Sequence, residues 1–113
     1  MNLPQEFSQY TRRLMGEPLF ETFLNGMTEE HPTSIRLNPF KTKGATVEGE
    51  NVPWCPTGWY LKGRPNFTFD PFLHAGLYYV QEASSMFISH VLRQLVHHPV
   101  TMLDLCAAPG GKS

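Results

Sequence analysis

The sequence predicts an α+β fold. A small unit of helices and short strands fills residues 1–98, and residues 99–113 hold the first strand and turn of an α/β sheet of a different kind. Three observations carry this expectation. Apolar residues recur at helical spacing near both ends of the first unit, the period changes to two at Ile35 and Leu37, and a continuous apolar run leads into a glycine turn at 100–113.

Element by element, Leu3, Phe7, Tyr10 and Leu14 recur at steps of four, three and four and mark a helix with one apolar stripe. Gly16 and Pro18 punctuate it. A second short helix follows with Leu19, Phe20, Phe23, Leu24 and Met27 inward, and the Thr28–Pro32 stretch ends it. Ile35 and Leu37 alternate with Arg36 and Asn38 as a half-buried strand does, until Pro39 breaks it. Residues 40–76 are rich in Gly and Pro and should hold turns and short strands, best placed at 52–54 and 58–62, with a further apolar run at 77–80. Ala83 to His98 reads as a helix on Ala83, Phe87, Val91 and Leu95, stopped by Pro99. Val100 to Leu105 reads as a buried strand of a parallel sheet.

Composition excludes several classes. With 113 residues, 41% hydrophobic and 12% aromatic, the chain has the material for one small core, so wholesale disorder is not expected. No run approaches the length of a membrane span, and the N-terminus lacks the apolar stretch of a signal peptide. Cys55 and Cys106 are too far apart to suggest a disulfide framework, which makes a cytoplasmic setting the default. The histidines show neither Cys-x-x-Cys nor His-x-x-x-His spacing, so no metal site is expected. The formal charge of −1 conceals a basic middle. Over 31–64, Arg36, Lys41, Lys43, Lys62 and Arg64 face only Glu48 and Glu50, a mild sign of a polyanionic partner. The dense aromatics of 52–80 read first as core filler and second as a base-stacking platform.

The most specific segment is Met102-Leu-Asp-Leu-Cys-Ala-Ala-Pro-Gly-Gly-Lys-Ser113. Strand, tight turn, paired glycines, then a cation and a hydroxyl is how α/β sheets seat a small ligand at the carboxyl end of a strand. A nucleotide P-loop would need a glycine where Cys106 stands. A cysteine phosphatase loop has the right spacing from Cys106 to Ser113, but Lys112 lacks the planar grip that arginine gives. An ordinary strand-to-helix turn also accounts for the segment.

The Asp104–Ser113 stretch closely resembles the first cofactor motif of the Sun/Nop-type RNA (cytosine-5) methyltransferases, which include bacterial enzymes acting on 16S ribosomal RNA. The resemblance covers roughly residues 34–113. Ser34-Ile-Arg-Leu-Asn-Pro-Phe-Lys41 resembles the family's Arg-x-Asn-x-x-Lys element, Val52-Pro-Trp-Cys-Pro-Thr-Gly-Trp-Tyr60 the segment after it, and Tyr79-Val-Gln-Glu-Ala-Ser-Ser-Met86 the start of a helix.

The resemblance implies an N-terminal accessory domain over 1–98 and, over 99–113, the truncated start of a Rossmann-like domain dependent on S-adenosylmethionine. The cofactor would be bound by Cys106, Ala107, Ala108, Pro109, Gly110, Gly111 and Lys112. Arg36, Asn38 and Lys41 are the candidates for RNA contact, and ribosomal RNA is the expected partner, with no membrane and no metal. Gln81 and Glu82 either orient a loop near the cofactor or merely begin a helix. The family's catalytic cysteines lie in later Pro-Cys and Thr-Cys motifs that do not occur here, so no catalytic residue is assigned and the 113-residue chain alone is expected to be inactive. The alternative is a stand-alone RNA-binding or structural module without catalysis.

Overall fold

Proline and glycine set most of the boundaries in the computed structural model, which describes residues 2–113 and forms two compact units, Met1–His31 and Pro32–Ser113. The first unit is two helices, α1 (Gln5–Met15) and α2 (Glu17–Thr28). Gly16 separates them at φ +80°, a conformation that costs a residue with a Cβ, and Pro18 sits in the first turn of α2, where its missing N–H is no loss. Phe20 is buried, with Phe23 6.2 Å away ring to ring, and Phe23 lies 6.3 Å from Phe7. Arg12 spreads over the Phe20 ring at 4.7 Å and pairs with Glu17 at 3.1 Å. The expected apolar stripes are only partly enclosed: Phe7, Tyr10, Leu14, Leu19 and Met27 are exposed, and the buried residue of α1 is Thr11. A pair of helices shields only the line along which the two touch.

The second unit is built on an antiparallel sheet of order β2-β3-β1-β4. β1 (Ser34–Leu37) is central, pairing Ile35 with Trp59 of β3 (Gly58–Leu61) and with Val80 of β4 (Tyr78–Val80), while β2 (Gly49–Asn51) extends the sheet beyond β3. The strand expected at 52–54 does not form; the chain is a strand only just before it, in β2. Pro53 cannot donate to a ladder, and 52–58 instead forms a tight loop closed by the Val52 N–H to the Gly58 carbonyl at 2.8 Å. Two short helices interrupt the Gly/Pro-rich stretch, α3 (Pro39–Thr42) and α4 (Pro71–His74), each with proline in its first turn. Asn38 and Asp70 cap them, their side-chain oxygens accepting from Phe40 and Phe72 N–H. A 3-10 turn at Phe67–Phe69 precedes α4.

Helix α5 (Ala83–Leu95) ends before the expected His98, because Val96 is already extended (φ −116°, ψ 113°) ahead of the Pro99 stop. Its fully buried Met86 meets Val52 and Cys55 in the core, with Trp54, Tyr60 and Ala83 packed around them. Gly58 completes this core by having no side chain: a Cβ there would lie 2.5 Å from Met86 Sδ and 3.1 Å from both Cys55 Cβ and Val52 Cβ. Trp54 fastens α5 to the 52–58 loop, donating its ring N–H to the Ala83 carbonyl at 2.7 Å, while Arg93 donates to the Trp54 carbonyl at 2.8 Å.

The strand expected at 100–105 does not form. Residues 99–113 contain no regular element, and Val100, Met102, Leu103 and Leu105 are exposed. A strand exists only through a neighbour, and among the described residues none pairs with this segment.

Candidate functional site

The 104–113 segment is nevertheless organised, and its first organiser is Asp104. One carboxylate oxygen accepts the Cys106 N–H at 2.8 Å, the local turn that aspartate favours, and the other accepts the Ser113 hydroxyl at 2.6 Å, closing the loop into a ring. The Ser113 hydroxyl, then the Cys106 N–H, and the charge of Lys112 hold the Asp104 carboxyl below its ordinary value of 3.8. Gly110 turns the chain at φ +95°.

A second tie comes from the sheet. The Gln81 side-chain N–H donates to the Gly111 carbonyl at 2.7 Å. Gln81 is itself held by β1: its carbonyl accepts from the Ser34 hydroxyl at 2.6 Å, and its N–H donates to the Ser34 carbonyl at 3.3 Å. Ser34 and Gln81 are both buried.

Between loop, sheet and α5 lies a cleft of about 1180 Å³ within the second unit, walled by Arg36, Asn38, Tyr79 and Gln81 on one side and by Met102–Cys106, Pro109, Gly110, Lys112 and Ser113 on the other. Arg36 reaches it half-buried, its guanidinium donating to Ser89 Oγ on α5 at 3.1 Å. Asn38 lines it while capping α3 and donating to the Gly76 carbonyl at 3.1 Å. Lys41 is exposed and outside the lining, its ammonium donating to the Ala75 carbonyl at 2.6 Å. Of the loop residues singled out in the sequence, Cys106, Pro109, Gly110 and Lys112 line the cleft, and Ala107, Ala108 and Gly111 form the rest of the turn. Cys55 and Cys106 are unpaired, the first buried and the second exposed. Among the described residues no cluster of three or more His, Cys, Asp or Glu is arranged to hold a metal, and no helix is long and apolar enough to cross a membrane.

Residues 3–83 match a protein family described as the N-terminal domain of 16S rRNA methyltransferase RsmF. The chain belongs to this family. Among its curated relatives, the ribosomal RNA small subunit methyltransferase F of Pectobacterium atrosepticum is 33% identical over 99% of the chain and 26% of that protein. The proteins of the same name from Serratia proteamaculans and Vibrio atlanticus are each 32% identical, over 98% of the chain and 26% of their own length. The chain thus spans about a quarter of the length of the curated relatives it matches.

The cleft straddles the limit of the family match. Arg36, Asn38, Tyr79 and Gln81 lie inside the matched stretch, while Ser89 and the Asp104–Ser113 loop lie beyond it. Sequence reasoning singled out Arg36, Asn38 and the loop but not Asp104, Ser113 or Ser89 as members of one site. Asp104 carried a readable signal, an aspartate two residues before a turn N–H. Ser89 carried none, because its role depends on where Arg36 comes to rest.

Proposed function

We propose that this chain is part of an enzyme that transfers a methyl group from S-adenosylmethionine to carbon 5 of a cytosine in small-subunit ribosomal RNA. What carries the reading is the sharing of one cleft by Arg36 and Asn38 with the Cys106–Lys112 loop. The names of the relatives support methylation of small-subunit ribosomal RNA, and the motif resemblance supports the cofactor and the cytosine target.

The residues present fit such a cofactor. The cleft has room for a ligand of nucleoside-plus-amino-acid size, which typical pockets of about 300–1,000 Å³ hold. Within that lining Gln81 presents a buried amide oxygen with no partner. S-adenosylmethionine supplies an electrophilic methyl group on a sulfonium centre. In this reading Cys106, Ala107, Ala108, Pro109, Gly110, Gly111 and Lys112 hold it, with the small residues giving it space and Asp104 keeping the turn closed through Cys106 and Ser113. Arg36, Asn38 and Lys41 take RNA phosphates and sugars, Arg36 with its orientation set by Ser89. Cys106 belongs to the cofactor turn and is not the nucleophile.

The test is transfer of labelled methyl from S-adenosylmethionine to small-subunit ribosomal RNA by the protein at the length of its relatives, followed by digestion to nucleosides. Label in 5-methylcytidine is expected. Label in another nucleoside, or none, overturns the reading.

A further inference from the structure

Gln81 is used on one side only. It is 6% exposed, lines the cleft, and is pinned through its backbone to Ser34 on both its N–H and its carbonyl. The amide orientation is set by chemistry, since only the NH₂ end can donate to the Gly111 carbonyl. That leaves Oε1 buried and without a hydrogen-bond partner. Buried acceptors without donors are costly and rare, and each needs a reason. The bond from its Nε2 to the Gly111 carbonyl holds the amide in this orientation.

We infer that Gln81 is the positioning residue of the cleft: its N–H ties the glycine loop to the sheet at Gly111, and its Oε1 is kept for an N–H or O–H donor of the ligand seated there. The tie rests on this chain's own geometry, and the acceptor role rests on the reading of the cleft as a cofactor site. Oε1 has almost no solvent-accessible surface, so seating a ligand donor on it requires a small displacement of the groups that cover it. An acceptor selects chemistry. A nucleoside bearing an amino acid brings several hydroxyl and ammonium donors, whereas inorganic phosphate is an anion made mostly of acceptor oxygens, which an amide oxygen repels.

The experiment is NMR on the 113-residue chain and its Gln81→Met and Gln81→Glu variants, titrated with S-adenosylhomocysteine and separately with inorganic phosphate. In the parent chain the amides of Gly110 and Gly111 should be ordered, with order parameters of about 0.8, and both variants should bring them below about 0.6. S-adenosylhomocysteine should shift the Gln81 side-chain NH₂ and the Gly110 and Gly111 amides of the parent, and phosphate should leave the Gln81 NH₂ unmoved. Gln81→Met should lose the ligand-induced shifts at Gly110 and Gly111, and Gln81→Glu, which retains acceptor oxygens, should keep them despite its looser loop.

A loop as ordered in Gln81→Met as in the parent overturns the tie. Equal ligand shifts in parent and Gln81→Met, or a Gln81 NH₂ that answers to phosphate, overturns the acceptor role. A parent chain in which S-adenosylhomocysteine moves nothing overturns the cofactor reading and the acceptor role together, and the order parameters still decide the tie.

Discussion

Replacing Gly58 by alanine places a methyl group where the core has no room for one. The added carbon would sit 2.5 Å from Met86 Sδ and 3.1 Å from both Cys55 Cβ and Val52 Cβ, all three fully or almost fully buried. Gly58 does not adopt a positive φ, so the cost is steric and not a matter of backbone strain. Overpacking of this kind costs about 1–3 kcal/mol. Met86 has no exposed surface, and Met86→Ala should cost about 2–5 kcal/mol through lost burial and the cavity left behind. The two changes are complementary, because shortening Met86 removes the sulfur that the new methyl meets. The double variant should therefore be more stable than the sum of the single costs allows, by about 1 kcal/mol. Urea unfolding followed by tryptophan fluorescence reports this directly, since Trp54 packs against the same cluster. Single costs that add to within about 0.5 kcal/mol, or a Gly58→Ala variant as stable as the parent, would refute the packing described for the sheet under α5.

Three further outcomes are expected. Trp54→Phe removes the ring N–H that holds the Ala83 carbonyl at 2.7 Å and should lower stability by about 1 kcal/mol in the same urea assay. Because the Asp104 carboxyl is held below 3.8, the order it gives the loop is present above that pH and should fade as the pH falls through its lower folded value; order parameters of Gly110 and Gly111 measured down an acid series check this, and Asp104→Asn should blunt the acid response. Arg36→Ala and Lys41→Ala should each weaken binding to ribosomal RNA fragments and reduce the slope of affinity against salt by about 1, measured by fluorescence anisotropy at several salt concentrations. An affinity unchanged by either would remove those residues from the RNA face.

Much of the fold was legible where a residue's backbone rule acts alone. Gly16 and Pro18 divide α1 from α2 in the way their φ preferences demand, and the alternation at Ile35 and Leu37 is a strand buried at both positions. The short helices α3 and α4 were not read, although Asn38-Pro39 and Asp70-Pro71 are a capping residue followed by a proline at the first helical position. Asn38-Pro39 reads as a stop because proline ends a strand as readily as it begins a helix, and Asp70-Pro71 falls in a Gly/Pro-rich stretch that reads as turns and short strands. The strand at 100–105 failed for another reason: an apolar run specifies what a strand would bury, whereas the strand itself needs a partner ladder. The loop and Arg36 were legible as separate motifs. Their meeting was not, because it depends on the Gln81–Gly111 bond across 30 positions of sequence, which no local pattern encodes.

The proposed meeting of RNA and cofactor in a single cleft, at Arg36, Asn38 and the glycine loop, is tested most directly by mapping a small-subunit ribosomal RNA fragment onto the chain by NMR, in the presence and absence of S-adenosylhomocysteine. The account predicts that RNA shifts Arg36 and Asn38 and that the two ligands' effects meet on the walls of the cleft. RNA shifts confined to α1 and α2, with Arg36 and Asn38 unmoved, would contradict it.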